Sequence, residues 1–265
     1  MDRGIPSGAG PPPCGRRPWQ RPILAPVSDV PNPDPGAAQA ADSGRRSVAA
    51  WRRPTRAEHR WPSIVAIASA IALQVVLPDR LILHPRWLLP GVEIALVVAL
   101  IVANPVRLVR RHPVLRLGGL ALVAAMTVAN AGSAVLLIDR LLTGTAGHDA
   151  ATLIGGGAAI YATNIVAFGL WYWELDRGGP VRRARGDRQH TDFLFPQMAT
   201  PDVAPPDWEP AFLDYLYVAY TNGTAFSPTD TMPLSRWAKM LMLAQSAIAL
   251  STVVLVVARA VNILA

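Results

Sequence analysis

Long runs of apolar residues alternate along this chain with short segments that are basic or polar. A helix needs about 20 mostly apolar residues to cross the hydrocarbon core of a bilayer. The pattern therefore predicts five membrane-spanning helices, over residues 61–77, 87–103, 114–138, 151–173 and 234–265. The predicted fold class is all-α: a polytopic transmembrane helix bundle of about five spans, with a short re-entrant or interfacial helix before the last span.

Composition supports an integral membrane protein over a soluble one. Apolar residues make up 51% of the chain and charged residues 16%, against about 25% charged residues in an average soluble protein. The net charge of +7 comes mainly from arginines beside the apolar runs. No basic helix or aromatic-basic motif accompanies it, so nucleic acid is not an expected partner.

Changes in composition divide the chain into four parts. Residues 1–58 are rich in Pro and Arg, without apolar periodicity, and are predicted to be a disordered cytoplasmic tail. Residues 59–175 are predicted to form a four-span membrane bundle, and residues 176–210 a cytoplasmic loop. Residues 211–265 comprise a pore-loop-like segment and the last transmembrane helix.

The arginines also predict the orientation. They concentrate before the first predicted span, in the 104–116 segment and after the fourth span, whereas the connections after the first and third spans are nearly neutral. By the positive-inside rule, the protein is a multi-pass cell-membrane protein with a cytoplasmic N-terminus. The basic tail would attract anionic lipid headgroups of the bilayer.

Polar residues inside predicted spans are candidate sites because they are costly in lipid. Asn130 lies in the third span and Asn164 in the fourth; each would line a polar cavity or join helices by hydrogen bonds. Glu93 is expected to be solvated near the outer surface. Glu174, Asp176 and Arg177 are expected to form a surface ion-pair network.

Recognisable catalytic arrangements are missing from the sequence. Five histidines are scattered without metal-ligand spacing, and there is no H-E-x-x-H, Gly-rich phosphate loop or G-x-S-x-G motif. Cys14 is the only cysteine, so no intrachain disulfide can form. The sequence thus predicts neither an enzyme nor a bound cofactor or metal.

The most informative segment is 210–236. Residues 211–221 predict an amphipathic helix too short to span a bilayer. Pro228 and Pro233 prevent regular helix beyond it. The segment carries a dense set of polar side chains as permeation candidates: Thr221, Asn222, Thr224, Ser227, Thr229 and Asp230. It is a re-entrant loop around a wet path, a segment in which residues 211–226 do cross, or an interfacial helix with a turn that caps the last span.

This order of an aromatic half-helix, a Thr-rich turn, an acid, a proline and a long apolar helix resembles the pore region of two-helix potassium channels. Thr224 matches the filter threonine, Asp230 the acid after the filter and Pro233 the following proline. The glycines of a Thr-Val-Gly-Tyr-Gly filter are missing, and residues 226–229 (Phe-Ser-Pro-Thr) stand in their place. The resemblance implies channel-like permeation of a monovalent cation by a homo-oligomer.

Two phrases, residues 193–198 (Phe-Leu-Phe-Pro-Gln-Met) and residues 226–234 (Phe-Ser-Pro-Thr-Asp-Thr-Met-Pro-Leu), are similar to those of a family of uncharacterised bacterial integral membrane proteins. That resemblance covers residues 60–265 and implies no activity. Two hypotheses of function remain: a channel-like permeation protein, and a non-transporting membrane scaffold or partner-binding protein. They differ in whether residues 221–231 face a wet cavity or pair with the protein.

Overall fold

The computed structural model describes residues 50–52, 54–55, 58–103, 113–145, 149–187, 190–205, 207–224 and 230–264. This part of the chain is almost entirely helical. Its elements in chain order are α1 (Trp61–Val76), α2 (Leu88–Ala103), α3 (Pro113–Leu142), α4 (Ala150–Leu175), α5 (Pro180–Ala184), β1 (Phe193–Leu194), α6 (Pro196–Ala199), α7 (Phe212–Thr224), β2 (Met232–Pro233) and α8 (Arg236–Leu264).

The five long helices fall where the apolar runs predict them, within a few residues at each end. Local sequence explains where they begin. Pro62 occupies the first turn of α1, where its missing N–H group leaves no helical hydrogen bond unmade. Asp149 caps α4, since its carboxylate accepts hydrogen bonds from the backbone N–H groups of Ala151 and Thr152.

Three described helices, α3, α4 and α8, are long and apolar enough to cross a membrane. The helices α1 and α2 are also apolar but shorter, at 16 residues each. Many aliphatic side chains on these helices remain exposed. On α8 they are Leu243, Leu250, Val254, Val257 and Val261.

Helix α4 is the centre of the bundle, because it packs against α1, α3, α7 and α8. Its buried residues Ile160 and Leu170 belong to two apolar clusters that join it to its neighbours. Met126 of α3 is fully buried in the larger cluster. The core therefore surrounds α4 and leaves the outer faces of α3 and α8 apolar and uncovered.

The bundle has two ends of different character. At one end α1 begins, α2 ends, α3 begins and α4 ends; Arg60 Nη1 there donates a hydrogen bond to the backbone oxygen of Leu100 at 2.5 Å. We call this the basic end, defined by Arg60, Arg116 and Arg182. At the opposite end, Arg140 Nε donates to the backbone oxygen of Arg80 at 2.9 Å.

Helix α7 runs antiparallel to α4, into the bundle from the basic end. Its first residue, Phe212, packs against Trp173 near the end of α4, with ring centroids 5.8 Å apart. One turn later, a Cβ added at Gly169 would lie only 3.2 Å from the Cα of Leu216. The helix predicted over residues 211–221 is thus confirmed as a helix, and it packs against both α4 and α8.

After α7 the chain is back at the basic end by residue 232. There β2 pairs with β1 in antiparallel register, Phe193 opposite Pro233 and Leu194 opposite Met232. The backbone N–H of Asp192 donates to Asp176 Oδ1, just beyond α4, at 2.9 Å. Helix α8 therefore starts at the basic end and runs to the opposite end.

Two predicted boundaries need correction. The tail predicted to be disordered through residue 58 ends earlier, because Trp51 and Glu58 bond to Arg177 and Trp173. Residues 1–49 lie outside the described residues. The segment 176–210, predicted as a loop, instead holds short elements, since its aromatic side chains Phe193 and Phe195 are buried in the bundle core.

Candidate functional site

Four side chains from three helices share a set of hydrogen bonds that we call the polar seam: Asn164 and Tyr172 of α4, Asn222 of α7 and Gln245 of α8. Gln245 is fully buried, and its Oε1 accepts from the Tyr172 hydroxyl at 2.6 Å and from Asn222 Nδ2 at 2.9 Å. Its Nε2 donates to the backbone oxygen of Ala219 at 2.6 Å. Asn164 Nδ2 donates to the backbone oxygen of Gln245 at 3.3 Å.

The described permeation candidates at the tip of α7 bond to protein groups. The Thr221 hydroxyl donates to the backbone oxygens of Tyr217 and Val218, and the Thr224 hydroxyl donates to that of Thr221. Asn222 Nδ2 also donates to the backbone oxygen of Met242 at 2.9 Å. These contacts tie the tip of α7 to itself and to α8.

The structure does not bring all six permeation candidates together. Asp230 is exposed and lies just before β2, whose pairing with β1 holds it at the basic end. The tip of α7 lies deeper, beside the middle of α4. Ser227 and Thr229 lie outside the described residues.

The intramembrane polar candidates are both buried. Asn130 of α3 is 4% exposed and Asn164 of α4 is 1% exposed. The expectation for Glu93 is wrong: its side chain is fully buried rather than solvated, because the helix face that carries it turns inward, beside Gln74 of α1.

The ionic residues after α4 are also buried rather than on the surface. Asp176 is fully buried and Arg177 is 2% exposed, and both are hydrogen-bonded to the segment that follows α5, at Asp192 and Tyr215. Asp176 Oδ2 accepts a hydrogen bond from the Tyr215 hydroxyl at 2.6 Å. Arg183 donates to the backbone oxygen of Trp173, and its guanidinium lies 4.9 Å from the centroid of the Tyr215 ring. This cluster fixes the end of α4 to the segment that follows it.

A cavity of about 360 Å³ lies at the basic end between α1, α2, α3 and α4. This volume is within the range of ligand pockets, roughly 300–1,000 Å³. Most of its wall is apolar, including Ile64, Ile67, Val97, Leu122 and Leu170. Among the described residues, the charged side chains that line it are Arg60, Arg116, Arg182 and Glu174.

The charges of the cavity come from different helices. Arg60 precedes α1, Arg116 is in the first turn of α3, and Arg182 is on α5. Burial lowers the pKa of the Arg60 guanidinium, while the Glu174 carboxylate opposes that shift. Arg116 is exposed. The cavity therefore combines an apolar interior with three guanidinium groups and one carboxylate.

The Glu174 carboxylate lies against the cavity wall between two glycines. A Cβ added at Gly119 would lie 3.0 Å from its Oε1, and one added at Gly179 would lie 3.4 Å from its Oε2. Within the described part of the chain it receives no hydrogen bond, and it is attracted only at longer range by Arg60, Arg116 and Arg183. The wall leaves room for this carboxylate because Gly119 lacks a side chain, whereas a Cβ at Gly179 would make only an ordinary contact with it.

Sequence patterns do not reveal this cavity. Its residues lie between positions 60 and 182, and they become neighbours only where four helices meet at the basic end. A partial signal exists in the arginines that flank each predicted span and in an acid, Glu174, at the end of an apolar run. The interpretation of those arginines as separate bilayer anchors does not predict that they line one cavity.

The described residues contain no group of three or more His, Cys, Asp or Glu side chains placed to hold a metal ion. Comparisons with protein-family models, curated proteins and solved structures gave no match to this chain. Its function has to be inferred from its own geometry.

Proposed function

We propose that this chain is a multi-pass membrane protein that binds an amphiphile of the lipid class in the cavity at its basic end, without conducting ions through its C-terminal segment. Three long apolar helices and the exposed aliphatic faces of α3 and α8 support a location in a bilayer. In water, so much uncovered apolar surface would favour aggregation.

In this proposal α1, α2, α3, α4 and α8 each cross the cell membrane, and the N-terminus and the basic end are cytoplasmic. At 1.5 Å per residue, the 16 residues of α1 and of α2 extend about 24 Å, less than the roughly 30 Å of hydrocarbon. Local thinning of the bilayer and snorkelling of flanking arginines accommodate such a mismatch. Helix α7 re-enters from the cytoplasmic side and does not cross.

The observation that carries the binding function is the composition of the cavity. An apolar interior suits a hydrocarbon chain, since burial of apolar surface stabilises it by about 25 cal/mol per Å². Guanidinium groups bind phosphate oxygens through paired, charge-assisted hydrogen bonds. The cavity has both features, and its charges lie at the basic end, where lipid headgroups would be.

The contacts at the tip of α7 favour binding over conduction. A permeation path needs polar groups that replace the hydration water of an ion. Thr221, Asn222 and Thr224 instead bond to the backbone of α7 and α8, and none of them lines the cavity.

The binding function is tested by counting phospholipids on the purified full chain with native mass spectrometry. The variant Ile64→Trp fills the cavity, and Ile154→Trp is its matched control, since Ile154 is 47% exposed and outside the cavity. We expect one retained phospholipid per chain in the wild type and in Ile154→Trp, and loss of most of it in Ile64→Trp. Equal retention by all three would contradict a lipid in the cavity.

The absence of conduction is tested by cation flux in proteoliposomes that contain the folded chain, Asp230→Asn or Thr224→Ala. We expect all three to match protein-free vesicles, for each monovalent cation and for both gradient directions. Flux in the wild type that is lost in Asp230→Asn would instead establish the channel-like hypothesis.

A further inference from the structure

We infer that the cavity selects a phospholipid whose headgroup carries both a phosphate and a primary ammonium group. The inference rests on the proposed function, because it names the headgroup of the amphiphile bound there. The phosphate would pair with the arginines, and the ammonium with Glu174.

The Glu174 carboxylate is the group that would bind the ammonium. Glu174 lines the cavity, and among the described residues no donor is hydrogen-bonded to it. A lipid that fills the cavity takes this carboxylate, which is half-buried, out of water, and a charge withdrawn from water needs a close partner of opposite sign. A ligand that supplies an ammonium group at this point provides that partner.

The charged side chains of the cavity include both signs. Three guanidinium groups, those of Arg60, Arg116 and Arg182, line the same cavity as one carboxylate. A phosphodiester matches the guanidinium groups, and planar guanidinium groups suit the paired oxygens of phosphate. A headgroup that holds phosphate and ammonium a few bonds apart satisfies both signs at once, whereas phosphatidylglycerol brings no cation to Glu174.

The Glu174 carboxylate is held in a fixed position. Gly119 leaves just enough room for one of its oxygens, and α4 around it is buried against its neighbours. A preorganised charge loses little conformational entropy on binding and so discriminates well between headgroups. Gly119→Ala would push the carboxylate away from this position without removing its charge.

The experiment measures binding of phosphatidylethanolamine and of phosphatidylglycerol, with matched acyl chains, to the delipidated full chain in detergent by native mass spectrometry. We expect the wild type to prefer phosphatidylethanolamine by about fivefold or more, as a charge-assisted hydrogen bond would provide. Glu174→Gln should bring the two lipids to equal affinity by weakening phosphatidylethanolamine alone. Asp139→Asn, an exposed acid at the opposite end, should keep the preference.

Two further variants test separately how the ammonium and the phosphate of the headgroup are recognised. Gly119→Ala should reduce the preference even if Glu174→Gln does not fold, because it moves the same carboxylate. Arg116→Gln should weaken both lipids alike, whereas Arg236→Gln, an exposed arginine outside the cavity, should weaken neither.

The outcomes distinguish this inference from the proposed function. If neither lipid binds, the proposed function fails. If both bind equally to the wild type, or if the preference survives both Glu174→Gln and Gly119→Ala, the headgroup inference is overturned and a lipid-binding cavity remains. Glycerophosphoethanolamine, which lacks acyl chains, should not compete at equal concentration; competition by it would identify a soluble ligand and overturn the choice of a lipid.

Discussion

Gln245 is the residue on which the polar seam depends. It accepts hydrogen bonds from α4 and α7 through one oxygen and donates to the backbone of α7 through its nitrogen. Because it is fully buried, no water can replace these partners. A single side chain of α8 thus holds both α4 and α7.

Replacement of Gln245 by Leu should destabilise the fold by about 2 kcal/mol, since each buried polar group left without a partner costs about 1–3 kcal/mol and partners in membranes are partly replaceable. Equilibrium unfolding in mixed detergent micelles measures the change. Ser251→Ala, an exposed position on the same helix, is the control and should change stability little. An equally stable Gln245→Leu chain would show that the seam does not hold the helices.

Sequence reasoning found only part of the seam and none of the cavity. Asn164 and Asn222 stand out because amides are costly inside or beside an apolar run. Gln245 escapes notice, since it belongs to no motif and its partners lie on other helices, and Glu174 stands out only as part of an expected surface ion-pair network. Pairing across a bundle depends on helix rotation, which the spacing of apolar residues does not fix.

A pH dependence is expected from Glu58. Burial raises its pKa above the ordinary value of 4.5, although hydrogen bonds from the Phe212 backbone and the Trp173 indole lower it in part. An acid whose pKa is higher in the folded state contributes stability that is fully present below its unfolded pKa and lost as pH rises through its folded pKa.

The stability of the wild type relative to Glu58→Gln should therefore fall as pH rises above the ordinary pKa of about 4.5. Unfolding midpoints of the two chains, measured at a series of pH values, give the difference in stability between them. The contributions of the other titrating groups are the same in both chains and cancel in this difference. A difference that grows with pH would show that the hydrogen bonds, rather than burial, control this carboxyl group.

At the scale of elements, the sequence was enough to predict that α7 is a helix. It was not enough to predict where that helix lies. Its amphipathic pattern and the prolines after it define a short helix. The sequence left open whether that helix re-enters or lies at an interface, because an apolar face suits both. The close approach of Leu216 to Gly169 requires insertion beside α4, and only the absence of a side chain at that glycine permits it.

Gly169→Val should loosen α7, because the added atoms would meet the backbone of Leu216 and overpacking costs about 1–3 kcal/mol. Hydrogen exchange of the α7 amides should then become about tenfold faster, since 1.4 kcal/mol corresponds to a factor of ten. Gly155→Val on the same helix is the matched control, because a Cβ there meets nothing within 4 Å. Unchanged exchange in Gly169→Val would contradict the insertion of α7.

At the scale of the whole molecule, the helical class and the positions of the five long helices were predictable, since long apolar runs have few alternatives to helix. The burial of Phe193 and Phe195 was not, because the short aromatic phrase around them lacks a period long enough to predict packing. Those residues cover the charges at the end of α4 and so help to shape the basic end.

The proposed orientation is tested with the single native cysteine. Cys14 should react with a membrane-impermeant maleimide in inside-out vesicles but not in intact cells, because the basic tail is cytoplasmic. A chain with Cys14→Ser and Asn262→Cys should show the opposite pattern, since five crossings put the end of α8 outside. Labelling of both cysteines from the same side would mean an even number of crossings.

The most direct test of a lipid in the cavity is the reactivity of one thiol inside it. Two chains carry Cys14→Ser with either Ile64→Cys, in the cavity wall, or Ile154→Cys, on an exposed face. In detergent, added phosphatidylethanolamine should slow maleimide alkylation of the cysteine at position 64 by about tenfold, as expected for an occupied pocket, and leave position 154 unchanged. Equal rates at position 64 with and without lipid would contradict the account.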